Sequence, residues 1–191
     1  QGAAMSYSTI TYDLTGGIAT ITLNRPELMN ALSTGLRKEL LHALLRAQTE
    51  ARVMVLTGTG RAFCSGQDLQ DAGKIGSFDL ERILNEEYVP MIKAITDSPI
   101  PTIAAVNGAA AGAGANLALA ADIVIAAESA SFIQAFTRIG LVPDAGGSYW
   151  LPRQIGLARS MGAMLLGDKI TARQAADWGM IYDCVPDAEF A

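Results

Sequence analysis

Side chains suited to imidazole, thiol or metal chemistry are scarce in this chain. It carries one histidine and two cysteines in 191 residues. The histidine, His42, falls off the Leu36, Leu40, Leu44 stripe of an amphipathic segment and reads as a solvated side chain. Histidine-based acid–base chemistry is therefore not expected. Cys64 and Cys184 lack metal-ligand spacing, so no metal site is expected, and unpaired cysteines suit a reducing compartment. Aromatics make up only 6% of the residues, which favours tight helix and strand packing over an all-β sandwich. Fourteen basic residues against nineteen acidic ones give a net charge of −5, and no basic stripe is visible, which argues against a nucleic-acid partner. No secretory signal pattern is seen. The most apolar stretch, Thr102 to Ala127, is broken by Gly, Asn and Asp and does not suit a membrane span. The expectation is a soluble, cytoplasmic protein with no membrane partner. Gln1-Gly2-Ala3-Ala4 before Met5 reads as a cloning remnant, leaving residues 6–191 as one domain.

Half of the residues are hydrophobic, enough for one globular core. Ser8 to Leu14 and Ile18 to Leu23 alternate as strands around Gly16-Gly17, a hairpin signal. Ser33 is a good N-cap for a helix to about Glu50, with Leu36, Leu40 and Leu44 on its buried face. Val53 to Thr57 predicts a buried strand, Asp68 to Phe78 a polar surface loop, and Asp79 a capped helix to about Thr96. Thr102 to Val106 predicts another buried strand, Asn107-Gly108 a turn, and Gly/Ala residues a helix beginning near Gly114. Asp122 to Ala126 is a further strand. After Pro143 short helices are expected, broken near Gly156, Gly167 and Thr171. Strands alternating with helices indicate an α/β architecture.

Two loops of small residues each follow a buried strand: GTGRAFCSGQDL (Gly58–Leu69) and the stretch Asn107–Asn116. Neither fits a nucleotide fingerprint. Leu117 stands where a dinucleotide motif needs Gly or Ala, and Gln67-Asp68 stands where a phosphate loop needs Lys-Ser/Thr. No nucleophile elbow is present. A helix start lined by Gly and Ala leaves its N–H groups bare, with partial positive charge behind them. Such a start suits an anion or a developing oxyanion. A pair of main-chain donors on one carbonyl oxygen forms an oxyanion hole, each donor worth about 3–4 kcal/mol in the transition state.

Four segments carry a family resemblance: NRPELMNAL (Asn24–Leu32), LTGTGRAFCSGQDL (Leu56–Leu69), PIPTIAAVNGAAAGAGANLALAADI (Pro99–Ile123) and GLVPDAGGSYWLPR (Gly140–Arg153). With them the chain resembles the enoyl-CoA hydratase/isomerase (crotonase) superfamily from Ile10 onward. The resemblance implies an α/β spiral of ββα units. It also implies a C-terminal helical segment that builds trimers and that would begin near Ala191, so that segment is expected to be missing. The implied substrate is an acyl-CoA thioester, with coenzyme A as part of the substrate and no separate cofactor. The implied assembly is a homotrimer or a dimer of trimers. By motif position, the oxyanion donors would be the N–H groups of Gln67 and Ala113; the bland alternative for Gln67 is an exposed loop glutamine. Arg25 and the turn Leu28 to Ala31 resemble the coenzyme A-contacting segment, where Arg25 meets a phosphate or is simply solvated. Ala62, Ser65, Gly66, Leu69 and Gly112 would line the thioester and adenine side. Asp68 is expected to hydrogen-bond its own loop.

The departures from the family pattern are informative. Hydratases of this family use two glutamates, and the matching positions here are Asn116 and Phe136. Hydration needs a carboxylate pair to activate water and manage its proton, so weak or no hydratase activity is expected. Phe136, Ile139, Leu141 and Trp150 suggest a dry acyl pocket or, equally, plain core packing. Asn116 is expected to orient the acyl group. Asp144 has two readings: an N-cap for a helix starting near Gly146, or a single base and acid carrying a proton between carbons. Its PDAGG setting resembles the isomerase branches of the family. IPTIAAVNGAAAGAGANLALAADIVIAA, GLVPDAGGSYWLPR and ITARQAADWGMIYDCV most resemble the ring-1,2-epoxyphenylacetyl-CoA isomerases of phenylacetate degradation. Members of that subgroup also convert 3-enoyl-CoA to 2-enoyl-CoA. The expected function is acyl-CoA isomerisation. The alternatives are enoyl-CoA hydration and a non-catalytic acyl-CoA-binding subunit.

Overall fold

The computed structural model describes residues 6–71 and 79–190. The expected remnant at 1–5 and residues 72–78 of the expected surface loop lie outside the described residues. Gly16 and Gly17, at φ +61° and +83°, turn the chain between β1 (Ile10–Thr15) and β2 (Ile18–Leu23), which pair antiparallel. β1 begins later than the Ser8 pattern suggests. The Ser8 and Thr9 N–H groups donate instead to the Glu39 carboxylate at 2.8–3.0 Å. The Ser33 hydroxyl accepts from the Leu36 N–H at 3.2 Å and starts α1 (Thr34–Glu50). β3 (Val53–Gly58) and β4 (Ala62–Cys64) follow. Asp79 caps α2 (Leu80–Ile83), which runs through one π-helical turn (Leu84–Tyr88) into α3 (Val89–Thr96). Then come β5 (Thr102–Val106), β6 (Ala109–Ala111), α4 (Ala113–Leu119), β7 (Ile123–Ala127) and β8 (Ser131–Ile133). The chain continues through α5 (Gly147–Leu166), β9 (Lys169–Thr171), α6 (Ala172–Asp177) and β10 (Asp183–Val185).

Among the described residues the strands form two sheets, ordered β1-β2-β3-β5-β7-β10 and β4-β6-β8-β9. The chain alternates between them: β3, β5 and β7 enter the first, and β4, β6 and β8 enter the second directly afterwards. Each pair is one turn of a spiral, and the α/β spiral of ββα units is what the chain builds. Pairing is parallel from β2 to β10 and from β4 to β8. The corners are tied by asparagines. Asn107 Oδ1 accepts from the Gly58 N–H at 3.1 Å, and its Nδ2 donates to the Gly60 carbonyl at 2.9 Å.

Several short strands differ from the pattern-based expectation. Ala109–Ala111, expected within a Gly/Ala turn, is β6, paired on both sides by β4 and β8. β4, β8, β9 and β10 are likewise three residues long and were not expected. Alanine has little strand preference of its own; here the neighbours supply the ladder. In the C-terminal part, α5 is kinked at Gly156 (φ +77°, ψ 164°), the expected break. Among the described residues, no helix is long and apolar enough to cross a membrane.

The core lies between α1 and the first sheet and continues around α4. Leu36, Leu40 and Leu44 are buried, and α4 is buried along its whole length. Small residues let α4 approach β4 backbone to backbone: a Cβ on Gly114 would collide with the Cys64 carbonyl oxygen. Such a clash forces backbone to move. Gly114→Ala is expected to destabilise the fold by about 2–3 kcal/mol, read as a lower denaturant midpoint with an unchanged slope.

Candidate active site

The two small-residue loops meet. Gly66 adopts φ +92°, and a Cβ there would stand 2.8 Å from the Ala111 carbonyl oxygen and 3.4 Å from the Ala113 nitrogen. The loop is pinned by bonds either side of Gln67: the Leu32 N–H donates to the Gly66 carbonyl at 2.8 Å, and the Asp68 N–H to the Leu32 carbonyl at 3.3 Å. The Gln67 N–H is skipped. Ala113 is the first residue of α4, so its N–H has no partner within the helix. Among the described residues neither amide has a hydrogen-bond partner.

Both residues line a cavity of about 310 Å³, and Asp144 lines it too. Ser65, Gly66, Leu69, Gly112, Phe136, Leu141 and Ile139 also lie on its wall. Most of the lining is apolar. Asp144 Oδ1 is buried without a hydrogen-bond partner among the described residues. Burial pushes its carboxyl from the ordinary 3.8 up to about 6.

The N-cap reading of Asp144 does not hold. Gly146, at φ +85°, precedes α5, and no side chain caps that helix. Ala145 also has positive φ, +47°, an uncommon conformation for a residue with a Cβ. The two left-handed residues turn the chain sharply, and the Asp144 carboxylate is left free of the helix start. What holds Asp144 is its own carbonyl, which accepts from the Gly147 N–H at 2.9 Å and from Asn116 Nδ2 at 2.8 Å.

Asn116 is correspondingly not an acyl contact. It is fully buried and does not line the cavity. Its Oδ1 accepts from Gln134 Nε2 at 2.8 Å, so both ends of the amide are used inside the protein. Trp150 is not a cavity residue either; its indole packs against Gly146 and Tyr149. The other expected contacts sit outside the cavity. Arg25 Nη1 ties the Asp68 carboxylate (2.9 Å) to the Ala31 carbonyl (2.7 Å), which braces the loop. Asp68 also accepts from the N–H groups of Gln70 (3.0 Å) and Asp71 (3.2 Å). Burial opposes its charge, yet these donors and Arg25 hold its carboxyl below the usual range. Ala31 and Ala62 are buried, and the Ala62 carbonyl accepts from Asn30 Nδ2 at 2.9 Å. Leu28 is half-buried in the 3-10 turn before them. Cys64 lies behind the loop with its thiol pushed up to about 12 by burial, which removes it as a nucleophile. His42 is exposed and meets the Tyr7 hydroxyl at 2.8 Å.

The pattern missed Tyr88, Leu80, Ala135 and Arg138, which also line the cavity. Tyr88 is buried, and burial raises its phenol well above the usual range, with the nearby Asp144 charge adding to the effect.

A match to the enoyl-CoA hydratase/isomerase family model covers residues 13–191. The chain is 62% identical over 186 residues to a Rhodobacter capsulatus protein named "Probable enoyl-CoA hydratase", covering 97% of this chain and 72% of that one. It is 46% identical over 180 residues to the 1,2-epoxyphenylacetyl-CoA isomerase of Escherichia coli, covering 92% of this chain and 69% of the relative. Among solved structures, enoyl-CoA hydratase from Bacillus anthracis superposes with a TM-score of 0.87 at 35% identity, covering 96% of this chain and 72% of that one.

A carboxyl whose native pKa lies above its unfolded value subtracts stability as pH rises. Well below the unfolded value of 3.8 both states are protonated, and the penalty is complete only once pH is well above about 6. Asp144→Asn is therefore expected to leave stability nearly unchanged at about pH 3 and to raise it by roughly 3 kcal/mol at about pH 8. Paired unfolding curves at the two pH values check this; an Asp144 needed as a cap would give a loss at both.

Proposed function

This chain belongs to the enoyl-CoA hydratase/isomerase family, and we propose that within it the protein is an acyl-CoA isomerase. The observation that carries this reading is one largely apolar cavity that unites two unpartnered main-chain amides, at Gln67 and Ala113, with one carboxylate, Asp144. The thioester carbonyl oxygen accepts from both amides. That polarises the thioester and lowers the pKa of the adjacent carbon. Asp144 takes a proton from that carbon, and the electron pair moves onto the oxygen held by the amides. With a 3-enoyl chain the charge extends to the carbon two positions further along. Asp144 returns the proton there, which leaves the double bond conjugated with the carbonyl. Nothing is added and nothing leaves. An epoxide next to the enolate, as in the substrate for which the Escherichia coli relative is named, would rearrange from the same intermediate.

Hydration is the second reading, favoured by the name of the Rhodobacter capsulatus relative. Against it stands the lining. Among the described residues on the cavity wall Asp144 is the only carboxylate, and Asn116 and Phe136 occupy the positions where the resemblance expects glutamates.

Incubation with 3-hexenoyl-CoA and with crotonyl-CoA separates the readings. Isomerisation of the first, seen as growth of conjugated-thioester absorbance, is expected, with little loss of that absorbance from the second. Fast hydration of crotonyl-CoA without turnover of the 3-enoyl ester overturns the isomerase reading. Tight binding of both esters without turnover supports a binding subunit instead. Asp144→Ala is expected to lower kcat by about 10³-fold while ester binding persists. Since the base must be ionised, kcat/KM of the unaltered protein is expected to rise with pH and level off above about 6.

A further inference from the structure

Resting on the isomerase reading, we infer that the side chain of Gln67, clamped by Arg37 and Tyr88, sets the aim of the Gln67 N–H, so that Arg37 and Tyr88 are positioning residues for the oxyanion site. Motif position alone assigns Gln67 only a main-chain role, for which any side chain would serve.

Gln67 Oε1 accepts from the Tyr88 hydroxyl at 2.6 Å and from Arg37 Nη1 at 3.0 Å, while its Nε2 donates to the Asp68 carbonyl at 3.2 Å. Arginine is only a donor, so the Gln67 atom facing it must be the oxygen. The phenol must then give its single hydrogen to that oxygen as well. The amide orientation is thus fixed by its partners. Arg37 is almost fully buried, an environment that demands complete pairing of a charge. It meets the demand with Glu87 Oε2 (2.6 Å from Nη2), Thr34 Oγ1 (3.1 Å), the Leu32 carbonyl and Gln67. The Leu32 carbonyl is the same group that accepts from the Asp68 N–H. Arg37 therefore grips the loop at Gln67's side chain and, through Leu32, at the peptide after it.

The clamp comes from two elements that also shape the cavity. Arg37 lies in the first turn of α1, while Glu87 and Tyr88 lie in the π-helical turn Leu84–Tyr88. The wider turn sets these adjacent residues against α1 and against the cavity. Tyr88 lines both the reaction cavity and a second hollow of about 150 Å³, and phenylalanine keeps its ring while removing the hydroxyl.

The test uses Tyr88→Phe and Gln67→Leu, neither of which deletes a main-chain donor. Turnover of 3-hexenoyl-CoA is measured together with the spectrum of bound cinnamoyl-CoA, whose absorption moves to the red as its carbonyl is polarised. Each variant is expected to lose about 10-fold in kcat, below the 10²–10³ of deleting a donor outright. KM is expected to stay within about twofold, since binding is not what the clamp governs. The red shift of bound cinnamoyl-CoA should shrink in both variants, a change that mere loosening of the fold elsewhere would not produce. Unaltered kcat and full red shift in both variants overturn the clamp while leaving the isomerase reading intact. Absence of both turnover and red shift in the unaltered protein overturns the isomerase reading, and the clamp with it.

Discussion

The structure depends on two stretches of backbone approaching more closely than side chains would permit. Gly66 lies against Ala111 and Ala113, and Gly114 lies against Cys64, each where a Cβ would strike a carbonyl oxygen or crowd an amide. At these contacts the loop after β4 and the start of α4 become neighbours, and two N–H groups are left over. The spiral supplies the approach. β4 and β6 pair side by side, so the segments that follow them leave the sheet together. A main-chain site of this kind is insensitive to side-chain rotamers but depends strongly on where each peptide plane lies. That is why the bonds of Gly66 and Asp68 to Leu32 matter as much as the amide between them.

The carboxylate is held by a different logic. Its main chain is fixed from behind by Asn116, which is itself held by Gln134, and its Oδ1 is buried with no partner among the described residues. Asp144's own main-chain N–H lowers the carboxyl pKa, but burial raises it by more. A hydrogen bond to the carboxylate would stabilise the charged form and weaken the base. Fixing Asp144 through its carbonyl adds nothing further to that loss, and burial, the larger effect, raises the pKa.

Local chemistry made part of this legible. Gly16-Gly17, Ser33 as a cap, leucines four apart and the apolar run Thr102–Val106 each act over a few residues, and each element is where its signal lies. The three-residue strands β4, β6, β8, β9 and β10 were not legible, since their only support is a ladder to strands distant in sequence. The same reason hid Tyr88. Its sequence neighbours describe an ordinary helix, and only packing brings its hydroxyl to Gln67. Asn116 was misjudged because its motif position suggested the reaction centre, whereas its side chain faces Gln134 and the Asp144 carbonyl. The two readings of Asp144 turned on the positive φ of Ala145 and Gly146, which a sequence pattern does not report.

Site architecture also bears on which reaction suits it. Adding water across a double bond requires a hydroxyl and a proton to be delivered to neighbouring carbons, which two separated carboxylates accomplish by holding one water between them. Moving a proton along a conjugated system requires one group that removes it and gives it back without losing it to solvent. A lone carboxyl with its pKa pushed up to about 6 is mostly ionised at neutral pH yet only about tenfold from its protonated form, and the cavity it lines carries the apolar side chains of Phe136, Ile139 and Leu141. On the isomerase reading proposed above, the same burial that costs the fold stability at neutral pH suits Asp144 to act as a base and, one step later, as an acid.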